Sequence, residues 1–163
     1  MEAFDREKAL RVWQRVRGLP ETPDLQALAE EALTDGAALL TLSRRFPDRR
    51  GQLLRQLSRQ EQAHAGVLKG ILAQTRGVAP RIRASAVKLE RTESLLRRCR
   101  EGMRHRLEIY TALSADPDWG KVYGTLAAQE QTQLLRLLEL MGAMPPTNSP
   151  PRNRQPQRRR QWR

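Results

Sequence analysis

The stretch from Gln52 to Thr75, QLLRQLSRQEQAHAGVLKGILAQT, decides the fold. Leu54, Leu57, Glu61, His64, Leu68, Ile71 and Thr75 follow one another at alternating three- and four-residue steps, which is one face of an α-helix. Apart from the terminal Thr75, the polar members of this face are Glu61 and His64. An ionised group is costly to bury without a partner, so a carboxylate and an imidazole on a core-facing stripe ask for a cation or a hydrogen-bonded network. A second interruption of the same kind, Glu130-Gln131-Thr132-Gln133, lies in the stripe Val122, Leu126, Glu130, Gln133, Leu137, Leu140.

Two further helices complete the pattern. Residues 25–46 carry the stripe Leu25, Leu28, Ala32, Asp35, Leu39, Leu42, Phe46, with Asp24 as the expected N-cap. Residues 85–114 carry Leu89, Thr92, Leu96, Cys99, Met103, then Leu107 or Arg106, Tyr110 and Leu113. The turns 47–51 and 116–120 are short, and the link around 76–83, with a stop at Gly77 and with Pro80, is longer. The expected fold is all-α: an antiparallel four-helix bundle over 24–142. Residues 1–23 add a short amphipathic helix (6–17, with Leu10, Val12, Trp13 and Val16) and a linker. That helix is too short to be stable alone, so it is expected to pack on the bundle or on a second copy of the chain, as in a homodimer. The Pro- and Arg-rich segment 143–163 is expected to be a disordered C-terminal tail.

Composition narrows the function. Hydrophobic residues make up 39% of the 163 and aromatics 4%, so the core must be aliphatic. Cys99 is the single cysteine and cannot form an intrachain disulfide. No apolar run approaches the ~20 residues needed to cross a membrane, and the N-terminus lacks a basic-then-apolar signal, so a cytoplasmic protein without membrane contact is expected. The formal net charge is +12, and half of that excess comes from the six Arg of residues 143–163, which contain no Asp or Glu. Arg152, Arg154, Arg158, Arg159, Arg160 and Arg163 are therefore the candidate contacts to nucleic-acid phosphates or to an acidic partner, with Trp162 available to stack on a base. A solvated terminus is the simpler reading of the same residues. The body is only mildly basic, and the arginines of 97–106, interleaved with Glu101, read as a solvated helix face.

The ordered set Asp35-Gly36-Ala37-Ala38-Leu39, Glu61-x-x-His64, Glu108-Ile109-Tyr110 and Leu126-Ala127-x-x-Glu130-x-x-Gln133 resembles the ferritin-like, rubrerythrin-type family over roughly residues 25–142. The resemblance implies a four-helix bundle, a carboxylate-bridged di-iron centre, and oxidase, peroxidase or iron-handling chemistry. It implies a Glu from each of two helices and Glu-x-x-His from each of the other two. Glu61, His64 and Glu130 match that pattern. Gln133 stands where the second His belongs. The first-helix place falls at Asp35, with Glu31 as the alternative one turn away, and the third-helix place falls at Met103. The candidate metal ligands are thus Glu61, His64, Glu130, Asp35, Glu31 and Gln133, and the expected ion is iron or manganese. The other reading is a metal-free bundle with a buried hydrogen-bonded network, acting as an interaction module. His105, between Arg104 and Arg106, reads as a surface residue.

Overall fold

The computed structural model describes residues 23–144. They form four α-helices and, among the described residues, no strand: α1 Leu25–Ser43, α2 Arg49–Arg76, α3 Thr92–Leu113 and α4 Gly120–Gly142. The N-terminal helix and the basic tail expected from the sequence lie outside the described residues.

Local chemistry sets most of the boundaries. The Asp24 carboxylate accepts from Gln26 N–H at 3.0 Å and Ala27 N–H at 3.1 Å, which caps α1 as expected. Asp48 caps α2 by accepting from Arg50 N–H at 3.0 Å. Gly77 ends α2 in the left-handed region at φ 73°, where a Cβ would be strained. Asp116 organises the last turn, accepting from the N–H groups of Asp118 and Trp119, each at 2.8 Å.

The third helix departs from expectation. It begins at Thr92 rather than near 85, and the preceding residues from 79 run without helix. Leu89, expected on the inward stripe, is 89% exposed. This segment is held by its own anchors. Ser85 N–H donates to Thr34 Oγ1 at 2.9 Å, and Arg45 Nη1 donates to Glu90 O and Thr92 Oγ1 at 3.0 Å each. The first helix also stops short of Phe46, at Ser43.

α1 packs against α2 and α3, and α4 packs against α3 and α2. The core divides into two aliphatic clusters. One joins Leu39 and Leu42 of α1, Leu54 and Leu57 of α2, Leu95, Leu96, Cys99 and Met103 of α3, and Leu137 and Leu140 of α4. The other joins Leu28 and Ala32, Leu68 and Ile71, Tyr110, and Tyr123 with Leu126. Ile82 of the linker packs on the second cluster and Val87 on the first, so this connection travels between the two ends of the helices. No helix among the described residues is long and apolar enough to cross a membrane.

Candidate metal centre

Between the two clusters, each helix turns polar. Asp35 on α1, Glu61 and His64 on α2, Arg106 on α3, and Glu130 with Gln133 on α4 are all buried, none above 4% exposure. Close helix approach makes this layer possible. Ser58 Oγ donates to Gly36 O at 2.7 Å, and a Cβ at Gly36 would stand 3.2 Å from Ser58 O, so α1 and α2 nearly touch beside Asp35 and Glu61.

Arg106 lies at the centre. Its Nη1 is 2.8 Å from Asp35 Oδ2, its Nη2 3.1 Å from Glu61 Oε2 and its Nε 3.4 Å from Glu130 Oε1. Glu31, half-buried at the rim, approaches Nη1 at 3.8 Å and also meets the exposed His105 at 3.3 Å. Of the two sequence readings of Arg106, the place on the inward stripe holds and the solvated face does not: the side chain is 0% exposed. Met103 is corrected with it. Met103 packs in the first apolar cluster, and Arg106 is the α3 residue that meets the carboxylates. Gly102, one turn before Arg106, makes the approach possible. A Cβ there would come 2.1 Å from Asp35 Oδ2 and 3.1 Å from Arg106 Nη1.

Asp35 Oδ2, Glu61 Oε2, Glu130 Oε1 and all three Arg106 nitrogens lack a well-aligned hydrogen bond among the described residues, so these contacts are chiefly ion pairs. Glu61 Oε1 has neither an aligned hydrogen bond nor a close ion pair. Burial pushes the Glu61 carboxyl well above its ordinary range against the opposing pull of Arg106, with Glu130 and Asp35 adding to the rise. Burial likewise raises Asp35 to about 6, again opposed by Arg106. Burial would lower Arg106, but Glu61, Asp35 and Glu130 outweigh it and keep the guanidinium charged.

His64 faces the other side of Glu130. Its Nδ1 lies 2.8 Å from Glu130 Oε2. Its Nε2 lies 3.1 Å from Gln129 Oε1 and 3.4 Å from Gln133 Nε2. Gln133, at the place where the resemblance puts a second His, contacts the imidazole. Glu61, His64 and Glu130 each offer a ligand atom within 4.8 Å of the others, a spacing one metal ion can span. Tyr110 closes the layer, its ring edge-on to His64 with centroids 6.2 Å apart. Its hydroxyl is buried without a hydrogen-bond partner among the described residues, and burial raises its pKa. A cleft of about 570 Å³ runs along α4 beside Gln60 of α2. Gln129 and Gln133 line this cleft and contact His64, which lies buried behind them.

The structure therefore brings Asp35, Glu61, His64, Glu130 and Gln133 into one layer and leaves Glu31 at its rim. Sequence reasoning offered Arg106 as an alternative inward residue but missed its place among the carboxylates. The signal available was its spacing: Cys99, Gly102 or Met103, Arg106 and Tyr110 continue the inward stripe at three- and four-residue steps. Comparisons with protein-family models, curated proteins and solved structures found no match to this chain.

Proposed function

We propose that this chain is a ferritin-like, antiparallel four-helix bundle that binds one divalent cation, iron or manganese, through Glu61, His64 and Glu130. The observation that carries the reading is the charge of the buried layer. Three carboxyl groups, Asp35, Glu61 and Glu130, surround one guanidinium, Arg106, and Glu61 Oε1 has neither an aligned hydrogen bond nor a close ion pair. A divalent ion bound there would offset the excess of carboxyl groups over the single guanidinium. Two carboxylates and an imidazole suit Fe²⁺ or Mn²⁺. Were Nδ1 to hold an ion, Nε2–H would have Gln129 Oε1, 3.1 Å away, as its acceptor, an outer hydrogen bond of the kind that fixes a metal-bound imidazole. The connectivity supports the bundle assignment. The clusters join the end of α1 to the start of α3, and the end of α2 to the start of α4, with the long link running between them.

A bound ion of this type supplies Lewis-acid or one-electron chemistry. The residues of the chain hold it, balance its charge and keep its surroundings dry. The test is a metal count. Full-length protein purified from iron- and manganese-supplemented cells should hold one ion per chain, and the Glu61→Ala, Glu130→Ala double variant should hold none. Substoichiometric metal in the wild type under every supplement would end this reading.

Arg106 also favours a second reading, because a guanidinium already serves three of the carboxylates. Here the layer is a metal-free network, and the bundle is an interaction module whose Arg-rich tail binds nucleic acid or an acidic partner. It predicts salt-sensitive binding that vanishes when residues 143–163 are deleted.

A further inference from the structure

The carboxylate layer fits one exchangeable cation rather than two. Glu61 and Glu130 each turn one oxygen to Arg106, Oε2 and Oε1 respectively. Their other oxygens are not paired with Arg106: Glu130 Oε2 meets His64, and Glu61 Oε1 has no aligned hydrogen bond or close ion pair. Each carboxylate would thus have one oxygen for an ion on the His64 side and one for Arg106, which approaches from α3. Nothing on α3 competes for that place, since residue 102 has no room for a side chain there. A guanidinium does not lose its proton under protein conditions, so this positive charge is permanent.

We infer that Arg106 is a tethered second cation that restricts the centre to one ion and selects a divalent over a trivalent charge. The inference rests on the cation site proposed above. With Arg106 present, a divalent ion neutralises Asp35, Glu61 and Glu130, whereas a trivalent ion leaves an uncompensated positive charge in a water-poor layer. Excess buried charge is strongly penalised. Removing the guanidinium reverses the preference, because one trivalent ion then balances the three carboxylates alone. Arg106 touches the ligands, not the ion, and acts as a specificity-determining residue.

The experiment titrates full-length protein with Mn²⁺ alone and with Tb³⁺ alone, read by calorimetry and Tb³⁺ luminescence, with circular dichroism as the check on folding. Wild type and Arg106→Lys should bind one Mn²⁺ per chain and prefer it to Tb³⁺. Arg106→Gln should shift the preference toward Tb³⁺ by at least about tenfold. Should Arg106→Gln fail to fold, Asp35→Asn tests the same balance from the opposite sign. It removes a negative charge that meets Arg106 but not the ion, so Mn²⁺ affinity should fall by about tenfold or more. Two Mn²⁺ per wild-type chain would overturn the inference. So would an unchanged Tb³⁺-to-Mn²⁺ preference in Arg106→Gln, or unchanged Mn²⁺ affinity in Asp35→Asn, either of which leaves the cation site standing. No Mn²⁺ binding by wild type or Arg106→Lys would overturn both.

Discussion

Replacing Arg106 with Met should destabilise the metal-free protein by about 3–5 kcal/mol, the usual cost of removing one partner from a buried ion cluster. The side chain is 0% exposed and its nitrogens stand 2.8, 3.1 and 3.4 Å from three carboxylates. At an effective dielectric of ~20 and a charge separation of ~4 Å, each attraction is worth about 4 kcal/mol before desolvation is charged against it. Desolvation and the mutual repulsion of Asp35, Glu61 and Glu130 consume most of that sum. Deletion leaves those carboxylates buried with no guanidinium among them. Against a total stability of ~5–15 kcal/mol, such a loss is large enough to unfold a marginal domain. Urea denaturation followed by circular dichroism, in chelator, measures it. Acid should partly rescue the variant, because protonated carboxyls no longer repel one another; the cost should shrink toward the packing loss of about 1–2 kcal/mol near pH 4. A cost under about 1 kcal/mol at pH 8, or one that is the same at pH 4 and pH 8, would refute the reasoning.

Other consequences can be checked with the same protein. Asp35 is raised by burial from its ordinary 3.8 to about 6, so the folded chain binds its proton more tightly than the unfolded chain. Its contribution, about 3 kcal/mol, is therefore fully present below pH 3.8 and lost as pH rises through about 6. Chelator-treated Asp35→Asn should lose that part of the pH slope, and an unaltered slope between pH 4 and 7 would contradict the assignment. Gly102→Ala should cost about 1–3 kcal/mol by driving a Cβ into Asp35 Oδ2. Gly66→Ala, with nothing within 4 Å of its Cβ, should instead stabilise α2 by about 0.5–1 kcal/mol. Thermal melts of the pair decide, and equal shifts would sink the packing argument. The Cys99 thiol is buried and its pKa is pushed up by that burial, so a disulfide reagent should label it only as the protein unfolds. Labelling as fast in native buffer as in urea would show that the α3 core opens locally.

The helices were legible because their stripes are almost wholly aliphatic. Against such a background Asp35, Glu61, His64, Glu130 and Gln133 stand out as polar residues at core spacing, and all five are buried together. Arg106 was hidden by its neighbours. Arg97, Arg98, Arg100 and Arg104 make the segment look solvated, and arginine is seldom fully buried unless paired. Its partners lie on three other helices, which periodicity along one helix cannot show. The start of α3 was misplaced for a related reason. Leu89 extends the apolar period of the helix, but residues 79–91 are spent covering distance between the two apolar clusters. Period alone does not distinguish a spanning linker from a helix start.

The division of charge between the two halves of the chain has a consequence for assembly. Asp35, Glu61 and His64 belong to the α1–α2 hairpin, while Arg106, Glu130 and Gln133 belong to the α3–α4 hairpin. The first hairpin to leave the ribosome carries inward carboxylates and must wait for a guanidinium still to be synthesised. It is thereby discouraged from closing on itself or on another copy of itself, and only the later hairpin completes it. Two separately produced fragments, cut within the linker, should therefore recognise each other through this layer and remain open when kept apart.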